Sequence, residues 1–128
     1  MVKTSKQEIK TDKAPKIPGP LCQGIKAGNL IFISCAPLDM KGKPVTGDFK
    51  KAAKQMMENT KNILEAANSS MERIVRVDAY LQDMSNFETF NKVYREYIPE
   101  PFPARSISQP QRTPLDLVCA MVVTALAD

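Results

Sequence analysis

The chain has 128 residues, of which 43% are hydrophobic and 25% charged, and its formal net charge is +4. This size and composition predict a single globular domain over residues 1–128 that folds without disulfides or a metal, and we expect no cofactor. The absence of histidine excludes Ser–His and Cys–His nucleophilic catalysis, histidine-bound zinc and a histidine pH switch.

The chain is predicted to start with a basic segment and a loop. Residues 1–16 hold five lysines and two acidic residues, so we expect residues 1–13 to form a mobile basic segment. Residues 11–24 hold three prolines and two glycines, which predicts an irregular loop. The next run, LIFISCAP, is short, apolar and rich in β-formers, and it follows Gly28 and Asn29. This pattern predicts a hairpin-like turn and then a buried strand.

A long amphipathic helix is predicted next, after a loop over residues 38–48 that contains glycine and proline. Apolar residues recur every three or four positions from Phe49 to Ala67, with charged residues between them. Asp48 is placed to cap the first turn, and Asn68 with two serines follows the last turn.

A second strand is predicted over residues 73–82, where side-chain character alternates with a period of two. This period places Val75, Val77, Ala79 and Leu81 on one face and Ile74, Arg76, Asp78, Tyr80 and Gln82 on the other. We expect Arg76 and Asp78 to form a surface charge pair.

The last third of the chain is predicted to contain a helix and a final strand. Ser85 and Glu88 form the S-x-x-E pattern of a capping box, and Pro99 ends the amphipathic pattern that follows them. Residues 99–114 carry five prolines, so any strand there must be short or lie at a sheet edge. Residues 117–127 are almost entirely apolar, which predicts a strand covered on both faces.

Arg105 is the best candidate for a binding residue. It follows Phe102-Pro103-Ala104 at a loop-to-strand junction whose backbone the proline restricts. Arginine presents paired donors that match a carboxylate or a phosphate, and a stiff setting lowers the entropy lost on binding. The alternative is a structural salt bridge to Asp116 or to a carboxylate on the second helix. The cysteines are predicted to be free and inert, since no histidine or CxxC pair activates them.

The sequence also limits the partners that we expect. Nucleic acid is not one of them, because the chain has no tryptophan and no basic stripe interleaved with aromatic residues. A membrane is not one either, because no apolar stretch reaches the roughly 18–20 residues that cross a bilayer. The composition favours a cytoplasmic protein and leaves a mitochondrial location open, although no transit peptide is recognisable in the sequence.

Several short strings carry a family resemblance. The most specific is Phe102-Pro103-Ala104-Arg105-Ser106, which is followed by Pro114 and an apolar strand. The others are Ala14-Pro15, Gly19-Pro20, Gln23-Gly24, Gly28-Asn29, Ser34, Val45-x-Gly47, Asn62-Ile63-Leu64, Asp83-Met84, Phe87, and Asn91 with Tyr94. Together with the element order, they resemble the Rid family, the imine deaminases also known as YjgF or endoribonuclease L-PSP-like proteins.

The resemblance implies a fold and a site. The implied fold is α+β and chorismate-mutase-like, with two helices on one face of a mostly antiparallel sheet, assembled as a homotrimer with pockets between subunits. In the family, the arginine that matches Arg105 binds the carboxylate of a 2-imino acid, which is hydrolysed to a 2-oxo acid and ammonia. The implied site comprises Arg105 as the catalytic residue, with Ser34, Cys35, Asn91, Ile107, Leu21 and Ala120 lining the pocket.

The chain departs from the family pattern at several of these positions. Leu21 stands where a tyrosine is usual, Cys35 where a glycine is usual, and Ile107 where a cysteine is usual. The glutamate that helps to position or activate water falls on Ala120. We therefore expect a divergent deaminase of 2-imino and enamine acids with a weakened site. The alternative is a non-catalytic trimeric module that binds small carboxylates or a partner protein.

Overall fold

Six β-strands and two α-helices make up residues 5–127, the part of the chain that the computed structural model describes. Short 3₁₀ turns connect some of them. In chain order, the elements are β1 (Lys6–Ile9), β2 (Gly24–Ala27), β3 (Leu30–Cys35), α1 (Phe49–Ala66), a turn (Met71–Arg73), β4 (Ile74–Leu81), a turn (Met84–Asn86), α2 (Phe87–Tyr97), β5 (Ala104–Ser108), a turn (Pro114–Asp116) and β6 (Cys119–Leu126).

The strands form one sheet in the order β1-β2-β3-β6-β4-β5. All neighbouring strands in residues 5–127 are antiparallel except β4 and β5, which are parallel. The last strand in sequence, β6, therefore lies inside the sheet between β3 and β4. A mostly antiparallel sheet combined with two helices confirms the predicted α+β class.

The core lies between the two helices and one face of the sheet. On β6, Met121 and Val123 are buried, whereas Val122 between them is 41% exposed. The helices contribute Met57 and Phe90, which are both completely buried in the same cluster. Burying a side chain of this kind contributes about 1.5–3 kcal/mol to the stability of the fold. Within one chain, only the helix side of β6 is covered, whereas the sequence predicted cover on both faces.

The other face of the sheet, called the open face below, exposes large apolar side chains. Register pairs on β3 and β6 place Phe32 and Thr124, and likewise Ser34 and Val122, on the same side of the sheet. The exposed fractions are 42% for Phe32, 41% for Val122 and 39% for Leu126. Side chains of this size are seldom grouped on a free surface, so this face has the character of an interface.

Helix α1 begins and ends where the sequence predicts. The Asp48 carboxylate accepts a hydrogen bond from the Lys51 N–H at 3.2 Å, which satisfies one of the free donors of the first turn. The helix ends at Ala66, and Asn68 has left-handed backbone with a φ of 58°. Asparagine adopts this conformation more readily than most residues, which explains the stop.

The predicted faces of β4 are wrong at the start of the strand. A register irregularity between Ile74 and Arg76 shifts the pairing of β4 with β6. As a result, Ile74 is buried and Val75 is 40% exposed, the reverse of the prediction. From Val77 onward, the alternation follows the predicted pattern. A bulge adds one residue to a strand, and a simple period of two does not reveal it.

The predicted capping box at Ser85 and Glu88 is also wrong. Residues 84–86 form a 3₁₀ turn, and the Asp83 carboxylate accepts a hydrogen bond from the Ser85 N–H at 2.9 Å. Helix α2 starts only at Phe87, with no side chain bonded at its N-cap residue Asn86. Asp83 takes the capping role because it lies two residues before Ser85, the spacing at which an Asp carboxylate binds a backbone N–H in an Asx turn.

Strands β1 and β2 were not predicted. Lys6–Ile9 pairs with Gly24–Ala27, so part of the segment expected to be mobile is in the sheet, while residues 1–4 lie outside the described residues. The loop between the strands is held by the buried Gln23 side chain. Its Oε1 accepts a hydrogen bond from Thr11 N–H at 2.8 Å, and its Nε2 donates to the carbonyls of Thr11 and Ala14 at 3.0 and 3.1 Å. No helix within residues 5–127 is long and apolar enough to cross a bilayer.

Candidate functional site

Arg105 lies on the edge strand β5 and reaches toward helix α2. Its guanidinium carbon is 4.7 Å from the ring centroid of Tyr94 and 6.0 Å from that of Phe87. Cation–π contacts of this kind contribute about 0.5–2 kcal/mol, depending on how dry the site is. Asp116, the alternative partner that we considered for Arg105, instead pairs with Arg112 at 3.0 Å.

The setting of Arg105 is stiff because of its neighbours in sequence and in the sheet. β5 pairs in parallel with β4, so that Arg105 lies opposite Val77, which is completely buried. Pro103 immediately before the strand fixes one backbone angle. The strand is short and lies at a sheet edge, as the prolines of this segment predict. A fixed guanidinium loses little freedom when it binds an anion.

A cavity of about 220 Å³ opens beside this guanidinium. It is smaller than the roughly 300–1,000 Å³ of pockets for drug-sized ligands, so it suits a metabolite of a few carbon atoms. Its lining consists of Asn91, Tyr94, Arg95, Phe102, Pro103 and Arg105. Two residues that the sequence assigned to the site, Arg105 and Asn91, therefore meet in one cavity.

Two polar atoms on this lining have no hydrogen-bond partner among residues 5–127. They are Oδ1 of Asn91 and the hydroxyl oxygen of Tyr94, and both are shielded from solvent. Leaving such an atom unpaired costs about 1–3 kcal/mol. Burial raises the pKa of Tyr94, while the charge of Arg105 acts in the opposite sense. The hydroxyl therefore stays protonated at neutral pH and can donate.

The sequence missed four lining residues: Tyr94, Arg95, Phe102 and Pro103. A signal for two of them was present, because Tyr94 and Arg95 lie three and four positions after Asn91 and therefore share its helix face. Phe102 is 46% exposed, and its ring centroid is 6.4 Å from that of Tyr94. It forms an apolar side of the cavity.

The other residues assigned from the sequence do not line this cavity within one chain. Ser34 lies on the open face, opposite Val122. Ala120 lies opposite Tyr80 on the neighbouring strand, and it also faces away from the core. Ser34 and Ala120 are diagonal neighbours on adjacent strands, which are typically about 7–8 Å apart.

Cys35, Leu21 and Ile107 lie in three different surroundings. The Cys35 side chain is buried on the helix side, and burial raises the pKa of its thiol to about 12. Leu21 is 46% exposed and lines a separate cavity of about 340 Å³ beside the N-terminal loop, together with Cys22. Ile107 packs against the core two residues beyond Arg105. A pocket role for these residues stays a prediction.

The predicted surface pair on β4 is confirmed. Arg76 Nη2 donates to Asp78 Oδ1 at 2.8 Å, and Ser106 Oγ donates to the same oxygen at 2.6 Å. The hydrogen bond from Ser106 and then that from Arg76 hold the pKa of Asp78 below its usual value. Ser106 points away from Arg105, because successive residues of a strand face opposite sides. This cluster is therefore separate from the Arg105 cavity.

Comparison with known proteins identifies the family. Residues 11–127 match the family model described as Endoribonuclease L-PSP. The chain belongs to this family, as do the RutC and Rid proteins that it resembles. In the part of the L-PSP domain described here, no group of three or more His, Cys, Asp and Glu residues is placed to hold a metal ion.

Three relatives illustrate the similarity of this L-PSP protein to the rest of the family. A RutC family protein of Pyrococcus horikoshii is 45% identical over 115 residues, which cover 88% of this chain and 91% of that protein. Reactive Intermediate Deaminase A, chloroplastic, of Arabidopsis thaliana is 35% identical over 113 residues, which cover 87% of this chain and 60% of that protein. The crystal structure of E. coli TdcF with bound serine has a TM-score of 0.87 and 28% identity, covering 95% of this chain and 99% of that one.

Proposed function

We propose that this L-PSP family protein hydrolyses reactive 2-imino acids, and the enamines related to them by proton transfer, to 2-oxo acids and ammonia. The observation that carries the proposal is the Arg105 guanidinium, stacked on Tyr94 at 4.7 Å beside a small cavity. The name of the Arabidopsis relative and the serine bound to TdcF support it, because serine has the same α-carboxylate as an imino acid.

The proposed reaction needs positioning more than strong catalytic groups. Arg105 binds the carboxylate through its paired N–H donors. Water adds its oxygen to C2 of the imine, and the former C=N nitrogen takes up a proton. The hydroxyl proton of this amino alcohol then moves to the nitrogen, the C–N bond breaks, ammonia leaves, and a C=O bond forms at C2. The sum consumes one water and needs no oxidant or reductant.

The weak point of the site is the missing acid. Ala120 has only a methyl group where the family has the glutamate that handles water. Losing a general acid or base typically lowers a rate by about 10²–10⁴-fold. The pKa values of Cys35 and Cys119 are raised to about 12 by burial, so neither thiol replaces the carboxylate. We therefore propose a slow deaminase that depends on substrate positioning.

We also propose that the protein is a homotrimer with its pockets between subunits. Arg105 lies on the helix side of the edge strand, whereas Ser34 and Ala120 lie on the open face. One chain does not bring these two groups together, so a neighbouring copy must supply one of them. The apolar side chains exposed on the open face support this assembly, because association would bury them.

The test measures deamination of an imine made in situ by an amino-acid oxidase acting on alanine. We expect ammonia and the 2-oxo acid to form faster with the protein than in buffer, and Arg105→Ala to abolish the difference. Arg112→Ala is the matched control, because this exposed arginine pairs with Asp116 outside the cavity. A rate equal to that in buffer, or one unaffected by Arg105→Ala, would overturn the proposal.

A second variant tests the weakened site directly. Ala120→Glu supplies the missing carboxylate, and we expect it to raise the deamination rate about 10–100-fold. Ala120→Gln, which has the same shape but no acid, should give no such rise. If Arg105-dependent binding of 2-oxobutyrate occurs with no turnover in wild type, the alternative of a carboxylate-binding module holds instead. A rise with Ala120→Glu would then identify that module as a decayed enzyme.

A further inference from the structure

Arg95 is a second arginine on the lining of the Arg105 cavity. It follows Tyr94 directly on helix α2 and comes one turn after Asn91, so all three side chains reach the same cavity. Unlike Arg105, Arg95 is exposed and has no aromatic ring stacked on it in the described part of the chain. The cavity therefore has one fixed arginine and one arginine free to adjust.

Neither arginine forms an ion pair within the described part of the protein. In residues 5–127, no carboxylate lies within ion-pair distance of Arg95 or Arg105. Glu96, the acidic neighbour of Arg95 in the helix, instead pairs with Lys54 at 3.7 Å. Two positive charges around a cavity of about 220 Å³ attract an anion more strongly than one, and a ligand with two negative charges offsets both.

The remaining surface of the cavity suits the short carbon chain that joins the two anionic groups of such a ligand. Phe102 and Pro103 offer apolar contacts for a short hydrocarbon chain. The Asn91 Oδ1 and the Tyr94 hydroxyl oxygen, which lack partners in the described chain, are shielded from solvent and are not part of this contact surface.

We infer that the site prefers dicarboxylic 2-imino acids with a short carbon chain, an inference that rests on the proposed function and narrows its substrate class. Arg105, which is stacked and stiff, takes the carboxylate next to the reacting carbon, where geometry matters most. Arg95, which is exposed and adjustable, takes the distal carboxylate. The hydrolysis is balanced as before, with one water consumed and one ammonia released, and the distal carboxylate keeps its bonds.

The binding test uses two four-carbon acids, succinate and butyrate, titrated calorimetrically into the folded protein at neutral pH. We expect succinate to bind at least about tenfold more tightly than butyrate. Arg95→Gln should remove most of this difference by weakening succinate alone, and Arg105→Ala should weaken both acids. The succinate preference should also shrink as salt is added, because Arg95 is exposed.

Lys92→Gln is the matched control, since it removes an exposed positive charge from the same helix outside the cavity. It should leave the succinate-to-butyrate ratio unchanged. An equal loss with Lys92→Gln and Arg95→Gln would overturn the inference, because the preference would then reflect only net charge. An unchanged ratio in Arg95→Gln would overturn it as well.

Turnover separates this inference from the function on which it rests. Imines made in situ from aspartate and from alanine are compared in wild type and Arg95→Gln. We expect the variant to lose about tenfold in kcat/KM for the aspartate imine and much less for the alanine imine. One outcome is that both imines show deamination that depends on Arg105 while Arg95→Gln leaves their kcat/KM ratio unchanged. In that case the inference fails and the proposed function stands. If neither imine shows Arg105-dependent turnover, the proposed function fails, and the calorimetric ratio still decides whether the cavity selects dicarboxylates.

Discussion

At the scale of single residues, Tyr94 contributes two separable features to the Arg105 cavity. Its ring lies under the guanidinium at 4.7 Å, and its hydroxyl has no partner in the described chain. A phenylalanine would keep the ring and lose the hydroxyl. A leucine would lose both while still filling much of the space in the core.

We therefore expect Tyr94→Leu to weaken 2-oxobutyrate binding about 3–30-fold, since cation–π contacts contribute about 0.5–2 kcal/mol. Tyr94→Phe should weaken it by less, because the ring still holds Arg105 in place. Calorimetry measures the affinities, and thermal unfolding with circular dichroism confirms that each variant is folded. Equal affinities in wild type and a folded Tyr94→Leu would show that the ring does not position Arg105.

The two buried thiols predict how stability depends on pH. Burial raises the pKa of both Cys35 and Cys119 from 9.0 to about 12, so the folded chain keeps protons that the unfolded chain releases. The contribution is fully present below pH 9 and is lost as the pH rises toward 12, by up to about 1.4 kcal/mol per pH unit for each thiol. Urea unfolding at several pH values measures this slope.

The double variant Cys35→Ala/Cys119→Ala should show a shallower fall in stability above pH 9 than wild type. Cys22→Ala is the control, because Cys22 lies outside the core and is only half-buried. A double variant with the wild-type slope would assign the alkaline loss of stability to other groups, such as Tyr97, whose pKa is also raised by burial to about 12.

At the scale of the elements, the long periodic segments were predictable and the short ones were not. Helix α1 follows from apolar spacing over many residues, and strand β6 follows from its nearly continuous apolar run. Strands β1 and β2 have only four residues each, too few to show a period. The bulge between Ile74 and Arg76 depends on how β4 pairs with β6. The turn before α2 depends on Asp83, whose carboxylate caps it in place of the predicted Ser85.

The same limits apply to the site. Arg105 was predictable because prolines mark a stiff segment and because the surrounding string resembles a family. Arg95 was not, because an exposed arginine on a helix is normally a solvated charge, and its position beside Arg105 depends on how α2 packs against β5. The separation of Ser34 and Ala120 from Arg105 within one chain likewise follows from strand order, which local sequence does not encode.

The N-terminal loop depends on one buried amide, which gives a prediction at this scale. Gln23→Ala removes hydrogen bonds to Thr11, Ala14 and Pro15 and leaves their backbone groups without these partners. We expect the free energy of unfolding to fall by about 1–3 kcal/mol. Gln7→Ala, at an exposed position on the edge strand β1, should change it by much less. Equal urea midpoints for the two variants would contradict this role of Gln23.

At the scale of the whole molecule, the open face and the divided site point to the same requirement. Phe32, Val122 and Leu126 are each exposed by about two-fifths in one chain. Ser34 and Ala120 lie on the same open face, away from the Arg105 cavity. Burying the apolar face against a neighbouring copy would remove the exposed surface and could also supply the missing side of a pocket.

Val122→Glu tests this requirement, because it places a charge at the centre of the open face, opposite Ser34 and Asp78. Light scattering should show a trimer for wild type and a smaller species for the variant, since a buried unpaired carboxylate costs several kcal/mol. Leu115→Glu is the control, because Leu115 is 59% exposed and lies outside the sheet. Deamination should fall with the trimer in Val122→Glu while the circular dichroism spectrum stays that of the folded chain. A wild-type monomer with full activity would show that Arg105 acts in a pocket completed within one chain.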